Sequence, residues 1–132
     1  MDLIITFPGG RKVDAEYKGH TIHTDQPELA GGENSAPTPF DYFLASIGAC
    51  SGIYVVDFCQ NRGISLEGIR IIQRMERNPE KKMISRITLD IEVPLGFPEK
   101  YKQSLIRVVD LCTVKKHMLD PPEFAIQVVE RS

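Results

Sequence analysis

Apolar and polar positions change period several times along the chain, and each change marks an element. Residues 2–7, Asp2-Leu3-Ile4-Ile5-Thr6-Phe7, predict a strand. Pro8-Gly9-Gly10 predicts a turn, because glycine takes positive φ at little cost. Lys12 to Tyr17 alternates, with Val13, Ala15 and Tyr17 on one face. Lys18-Gly19 turns the chain, and His20 to Thr24 forms a third short strand. Together these segments predict an antiparallel meander. Residues 25–37 hold Pro27, Gly31, Gly32, Asn34, Ser35 and Pro37. They predict a loop longer than most connections, of the kind that carries function or wraps a partner.

Thr38-Pro39-Phe40-Asp41 has the form of a helix start: Thr38 as N-cap, Pro39 at the first helical position, and Asp41 three residues after the cap. The helix is expected to run to about Arg62, with Gly63 as its left-handed cap, a length of roughly 35 Å. Between Tyr42 and Cys59 almost every position is apolar or small, so most faces of this helix need cover. A chain of 132 residues has one sheet and one more helix to offer it. The remaining face therefore asks for a second copy of the chain, which predicts an interleaved homodimer. Ala45, Gly48, Ala49 and Gly52 would allow close helix approach there.

Past Gly63 the period returns to two. Ile69, Ile71 and Gln73 alternate with Arg70, Ile72 and Arg74, and Asn78-Pro79-Glu80-Lys81-Lys82 forms a turn. Ile87, Leu89, Ile91 and Val93 then alternate with polar residues, so residues 66–93 predict a long hairpin. A second helix is expected from about Glu99, with Tyr101, Leu105, Val108 and Cys112 as its apolar stripe. Thr113 to Leu119 fits a further short helical piece, stopped by Asp120-Pro121-Pro122. Phe124, Ile126 and Val128 predict a last strand. The order is β-β-β-α-β-β-α-(α)-β, an α+β fold in one domain over residues 1–132, with antiparallel sheets packed around a long central buried helix.

The charge balance, 16 basic against 18 acidic residues for a net −2, points away from nucleic acid, which requires a basic face. The apolar stretch Tyr42–Val56 falls short of the ~20 residues of a membrane span and is bracketed by Asp41 and Asp57. No basic and apolar leader opens the chain, so a cytoplasmic location with no membrane partner is expected. Three cysteines, an odd number, argue against a disulfide framework and leave each thiol either as a packed hydrophobe or as a reactive group.

Helical geometry separates the thiols. Cys50 and Cys59 fall on opposite sides of the first helix, whereas Cys112 comes from another element and could meet either. Cys50 has small neighbours (Ser46, Ala49, Ser51 and Gly52) that leave room for a substrate, whereas Cys59 lies between Phe58 and Gln60 near the helix end. A mid-helix thiol gains nothing from a helix N-terminus, so a catalytic Cys50 needs a cation from elsewhere in the fold. Arg11, His117, His20 and His23 are the candidates.

The stretch from Gly31-Gly32 through Ala36-Pro37-Thr38-Pro39-Phe40-Asp41-Tyr42-Phe43-Leu44-Ala45-Ser46-Ile47-Gly48-Ala49-Cys50 resembles the central-helix motif of the OsmC/Ohr family, the osmotically inducible protein C and organic hydroperoxide resistance proteins. Cys112-Thr113-Val114-Lys115-Lys116 resembles that family's second cysteine motif, with Thr113 where the family has proline. The resemblance implies a swapped dimer. It implies a thiol-dependent peroxidase, active in oxidative-stress defence, that reduces organic hydroperoxides to alcohols. Cys50 would become a sulfenic acid, Cys112 would condense with it to a disulfide, and a dithiol, in the family often a lipoylated protein, would reset the pair. No cofactor is implied. An arginine, here matched by Arg11, would hold the thiolate, and an acid would hold the arginine. The Ohr-branch position for that acid is Phe40 in this chain, which leaves Asp41 as the nearest carboxylate.

Each residue also has a plain structural reading: Asp41 as a capping acid, Arg11 as a solvated turn residue, Cys112 as a core thiol. Two other functions compete. One is an OsmC-fold protein that binds a small apolar ligand at the dimer interface without efficient peroxidase chemistry. The other is a metal site of Cys50, Cys112 and His117, which lacks the paired short spacings of a zinc motif.

Overall fold

The computed structural model describes residues 2–131, and its contacts divide the chain into two compact units, one up to Ser46 and one from Ile47 onward. The first unit holds the predicted meander: β1 (Ile4–Gly9), β2 (Lys12–Tyr17) and β3 (His20–Thr24), antiparallel in that order. The β2–β3 turn has positive φ at both Lys18 (52°) and Gly19 (79°), the primed geometry that matches the twist of the strands it joins. The β1–β2 pairing shifts register between Thr6 and Gly9, and the chain turns at Gly10 and Arg11. Every residue of β1 is exposed, including Ile4, Ile5 and Phe7.

The loop after β3 is ordered around one carboxylate. Asp25 is 1% exposed. Its Oδ1 accepts the Gln26 N–H at 2.8 Å, and its Oδ2 accepts the Ser35 hydroxyl at 2.6 Å and the N–H groups of Ser35 and Glu33 at 3.1 and 3.3 Å. The Ser35 hydroxyl leads these bonds in holding the Asp25 carboxyl well below the usual carboxylate range. Gly32 is required here, since a Cβ would sit 2.0 Å from the Gln26 carbonyl oxygen.

Helix α1 (Pro39–Asn61) begins with the expected reciprocal cap: Asp41 N–H donates to Thr38 Oγ1 at 3.1 Å, and Thr38 N–H donates to Asp41 Oδ2 at 3.0 Å. It ends as the sequence predicts, in a Schellman pattern. Gly63 at φ 65° donates to Gln60, and Ile64 donates to the Cys59 carbonyl. At 23 residues α1 is long and apolar enough, by length and composition alone, to cross a bilayer. It serves here as the core helix of the second unit. Its buried residues Ile47, Ser51, Val55, Phe58 and Cys59 recur at helical spacing as a single stripe. The expectation of a helix covered on most faces holds only along that stripe, because Phe40, Tyr42, Phe43 and Ile53 are exposed in the single chain.

The hairpin β4 (Arg70–Asn78) and β5 (Met83–Glu92) supplies the sheet under that stripe. Cross-strand partners Ile71 and Ile91, then Gln73 and Leu89, share one face, with a bulge between Glu76 and Arg77. A Cβ on Gly48 would lie 2.6 Å from Gln73 Oε1, so α1 crosses β4 at a residue with no side chain. Helix α2 (Glu99–Val109) closes the core with Leu105 and Val109, joined by Phe97 and by Tyr101 edge-on to Phe58 at 5.8 Å. A third helix, α3 (Thr113–Leu119), follows.

Two expectations are corrected. Helix α2 stops at Val109, so Cys112 does not sit on it; Cys112 is the non-helical residue that opens α3, at φ −46° and ψ 128°. The strand expected at Phe124, Ile126 and Val128 is not seen, since among the described residues no ladder pairs them. Their side chains are 86%, 97% and 97% exposed. The alternating pattern is there, but a strand needs an edge to pair with.

Candidate functional site

Two elements distant in sequence bring two thiols together in the second unit. Cys50 projects from the middle of α1, half-buried, and Cys112 opens α3, 1% exposed. Both are free thiols, and Cys50 lies near enough to Cys112 to help lower its thiol. The start of α3 is tethered to α1 one turn beyond Cys50, where the Tyr54 and Thr113 hydroxyls pair at 3.1 Å. Cys112 N–H also donates back to Val109 at 3.2 Å, which fixes the bend between α2 and α3.

The surroundings of Cys112 are polar on one side. Burial pushes its thiol up. Hydrogen bonding from Cys50, the N–H groups of Lys115 and Val114, and the Ser51 hydroxyl more than offset this, and the thiol ends below its ordinary value. The two N–H groups act on the sulfur short of a formal capping bond. Cys59 is the opposite case. It is fully buried among Val55, Phe58 and Leu105, and burial raises its thiol, opposed only by the charge of Arg62. A thiol in that state is inert packing.

Sequence reasoning missed Ser51 as a participant and treated it only as a small neighbour of Cys50. Its signal was a hydroxyl on the buried stripe of an apolar helix, where a polar group requires a partner. Ser51 also lines a cavity of about 350 Å³ with Ile47, Ile87, Leu89, Ile91 and Val109, and Lys115, which pairs with Asp110, stands at the same cavity.

The remaining candidates lie elsewhere. Arg11 is exposed in the β1–β2 turn of the first unit, where its guanidinium makes no hydrogen bond or ion pair among the described residues. Asp41 is the capping acid, with Oδ2 engaged by Thr38. His23 pairs with Asp14 at 3.0 Å, and His117 Nδ1 lies 2.7 Å from the Thr113 carbonyl, so both rings have local partners. Among the described residues no group of three His, Cys, Asp or Glu side chains gathers to hold a metal.

No curated protein matches the chain in sequence. Among solved structures, one similar fold is a proposed osmotic-stress-induced and detoxification response protein of Psychrobacter arcticus, with TM-score 0.72 and 18% identity over 86% of this chain and 85% of that one. Another is the organic hydroperoxide resistance protein OsmC of Legionella pneumophila, with TM-score 0.53 and 21% identity over 89% of each chain. A third is the organic hydroperoxide resistance protein OhrB of Bacillus subtilis, with TM-score 0.51 and 16% identity over 89% and 90%. At these identities the likeness is one of fold. The family model described as OsmC-like protein matches residues 32–127, a span that takes in the Asp25-closed loop from Gly32, the α1 thiol and the α3 thiol, and on that match the chain belongs to the OsmC-like family.

Proposed function

We propose that the protein is a thiol-dependent peroxidase for organic hydroperoxides, working as a homodimer. One observation carries this reading: Cys50 and Cys112, on separate elements, come near enough for one thiol to act on the other. In the first step the Cys50 thiolate attacks the hydroperoxide, the O–O bond breaks, and an alkoxide leaves to take a proton as alcohol, with Cys50 left as sulfenic acid. In the second, the Cys112 thiolate attacks that sulfur and the oxygen departs as water once protonated, giving the Cys50–Cys112 disulfide. A dithiol, such as a lipoylated protein, then reduces the disulfide by exchange and is itself oxidised. Half-buried Cys50 takes the attacking role, because the almost wholly buried Cys112 is placed to meet a neighbouring sulfur rather than a substrate from solvent. Arg11 is assigned to hold the Cys50 thiolate, with Asp41 Oδ1 as the carboxylate available to that arginine.

The homodimer is supported by the apolar surface that the single chain leaves uncovered: Ile4, Ile5 and Phe7 on β1, Ile53 on α1, and Phe124, Ile126 and Val128 near the C-terminus. Surface of this kind marks an interface. Free thiols suit a reducing compartment, consistent with the cytoplasm.

The cavity of about 350 Å³ beside Ser51 supports a second reading, in which the protein binds a small apolar ligand without turnover. Intact-mass analysis after one equivalent of cumene hydroperoxide separates the two. The peroxidase yields the alcohol and a Cys50–Cys112 disulfide. Cys50→Ser abolishes alcohol formation, and Cys112→Ser accumulates sulfenic acid at Cys50. Oxidation no faster than that of free cysteine would leave the binding reading in its place.

A further inference from the structure

Asp25 is a nearly inaccessible carboxylate that no step above uses, and its loop reaches the one arginine that the reading requires. Four donors from Gln26, Glu33 and Ser35 converge on it, so the loop between them cannot loosen without leaving a buried anion unpaired. That loop grips the turn carrying Arg11 from two sides. Glu33, whose N–H is bound to Asp25, holds Lys12 Nζ at 3.0 Å. Gly31, left-handed at φ 87°, lies alongside the Arg11 stem: a methyl group there would be 4.0 Å from Arg11 Cγ and Cδ. Gln26 and Arg11 line one cleft at the β1–β2 turn. The stem runs past this glycine while, among the described residues, the guanidinium makes no hydrogen bond or ion pair.

We propose that Asp25 is a positioning residue, which by gathering the loop from Gln26 to Ser35 around its carboxylate sets the direction of Arg11 and reserves the guanidinium for an anion. Both carboxylate oxygens are engaged by the loop and neither bonds the Arg11 guanidinium, so Asp25 acts on the arginine through the loop. The inference rests on the peroxidase reading for the identity of the anion, the Cys50 thiolate, but not for the ordering of Arg11.

Asp25→Asn in the full-length protein tests it through two readouts. The first is the mobility of the Arg11 Nε–H bond by NMR relaxation, restrained in the parent and freed in the variant. The second is the pH profile of Cys50 alkylation by iodoacetamide, read by peptide mass. Its midpoint rises in Asp25→Asn by at least roughly half as much as in Arg11→Ala, and in the Arg11→Ala background Asp25→Asn adds nothing further. A merely structural loss would lower stability yet leave that midpoint in place. Ser35→Ala removes a single donor and keeps the loop backbone, so it gives a smaller shift in the same direction should Asp25→Asn fail to fold. Should Arg11 stay restrained and the midpoint stay fixed in both variants, the positioning role is overturned whatever the protein's activity. Should the arginine be freed while Arg11→Ala leaves the Cys50 profile unchanged, Asp25 keeps its role and the assignment of Arg11 to the thiolate fails.

Discussion

Ser51→Ala removes the only side-chain hydroxyl among the groups that lower Cys112, and it is small enough to leave the packing of α1 intact. Ser51 acts least of the four groups that lower the thiol, so a full hydrogen bond to a charged acceptor, about 1.5 kcal/mol or roughly tenfold in thiolate population, is the ceiling on its effect. The whole factor does not reach the rate. A more basic thiolate is also a better nucleophile, with a Brønsted slope of about 0.4–0.5, which returns about threefold. On the peroxidase reading, condensation of Cys112 with the Cys50 sulfenic acid is therefore expected to slow at pH 7, by no more than about three- to fourfold. Cys112 is held below its ordinary value, so removing a donor moves its titration up. The variant lags at neutral pH, then overtakes the parent at alkaline pH, where both thiols are ionised. The assay is rapid quench with dimedone trapping of the sulfenic acid, followed by intact mass across the pH range, with the melting temperature as a control for packing. Superimposable profiles at unchanged stability would refute the argument, because Ser51 would then not act on the sulfur.

Four other outcomes follow from the same geometry. Thr38→Ala breaks the reciprocal cap at the start of α1 and should cost about 1 kcal/mol of stability in denaturant titration. Tyr54→Phe releases Thr113, so with the α1–α3 tether gone the Cys50–Cys112 disulfide should form more slowly after oxidation, at a cost of about 1 kcal/mol in its equilibrium against a dithiol. Asp25 is held below the usual carboxylate range, so its contribution to the loop is complete above about pH 4 and is lost as pH falls through its lowered value; amide exchange at Glu33 and Ser35 should stay protected at pH 5 and open only in stronger acid. Replacing Phe124, Ile126 and Val128 with serine should shift sedimentation from dimer toward monomer, while a second unit with its core intact keeps its near-UV signal.

The sequence made the first three strands, both ends of α1 and the hairpin legible because each depends on local chemistry. Lys18-Gly19 takes positive φ, Thr38 and Asp41 cap each other, and Gly63 closes a Schellman pattern. The pairing of Cys50 with Cys112 came from resemblance, not from periodicity. Helical spacing placed Cys112 on a stripe with Leu105, whereas the chain leaves the helix at Val109 and turns that thiol toward α1 through a bend no pattern encodes. Ser51 and Asp25 escaped notice for a shared reason. Each is a polar residue whose partners are remote or are backbone groups, and a linear reading ranks side chains by their neighbours in sequence.

The unformed last strand carries the same argument one step further. Alternation at Phe124, Ile126 and Val128 and the apolar face of β1 are both strand signals, and one became a strand only because β2 lies beside it. Period-two patterning specifies which side of a strand is to be buried, never by what. In this chain the pattern asks for more apolar cover than a single copy supplies at α1, at β1 and near the C-terminus. If one second copy meets all three demands, the residues that look misplaced in the monomer and the residues that build the dimer are the same set. Serine at Phe124, Ile126 and Val128 then weakens association without touching either thiol. A fully dimeric triple variant would break that identity and require the tail's alternation to have some other cause.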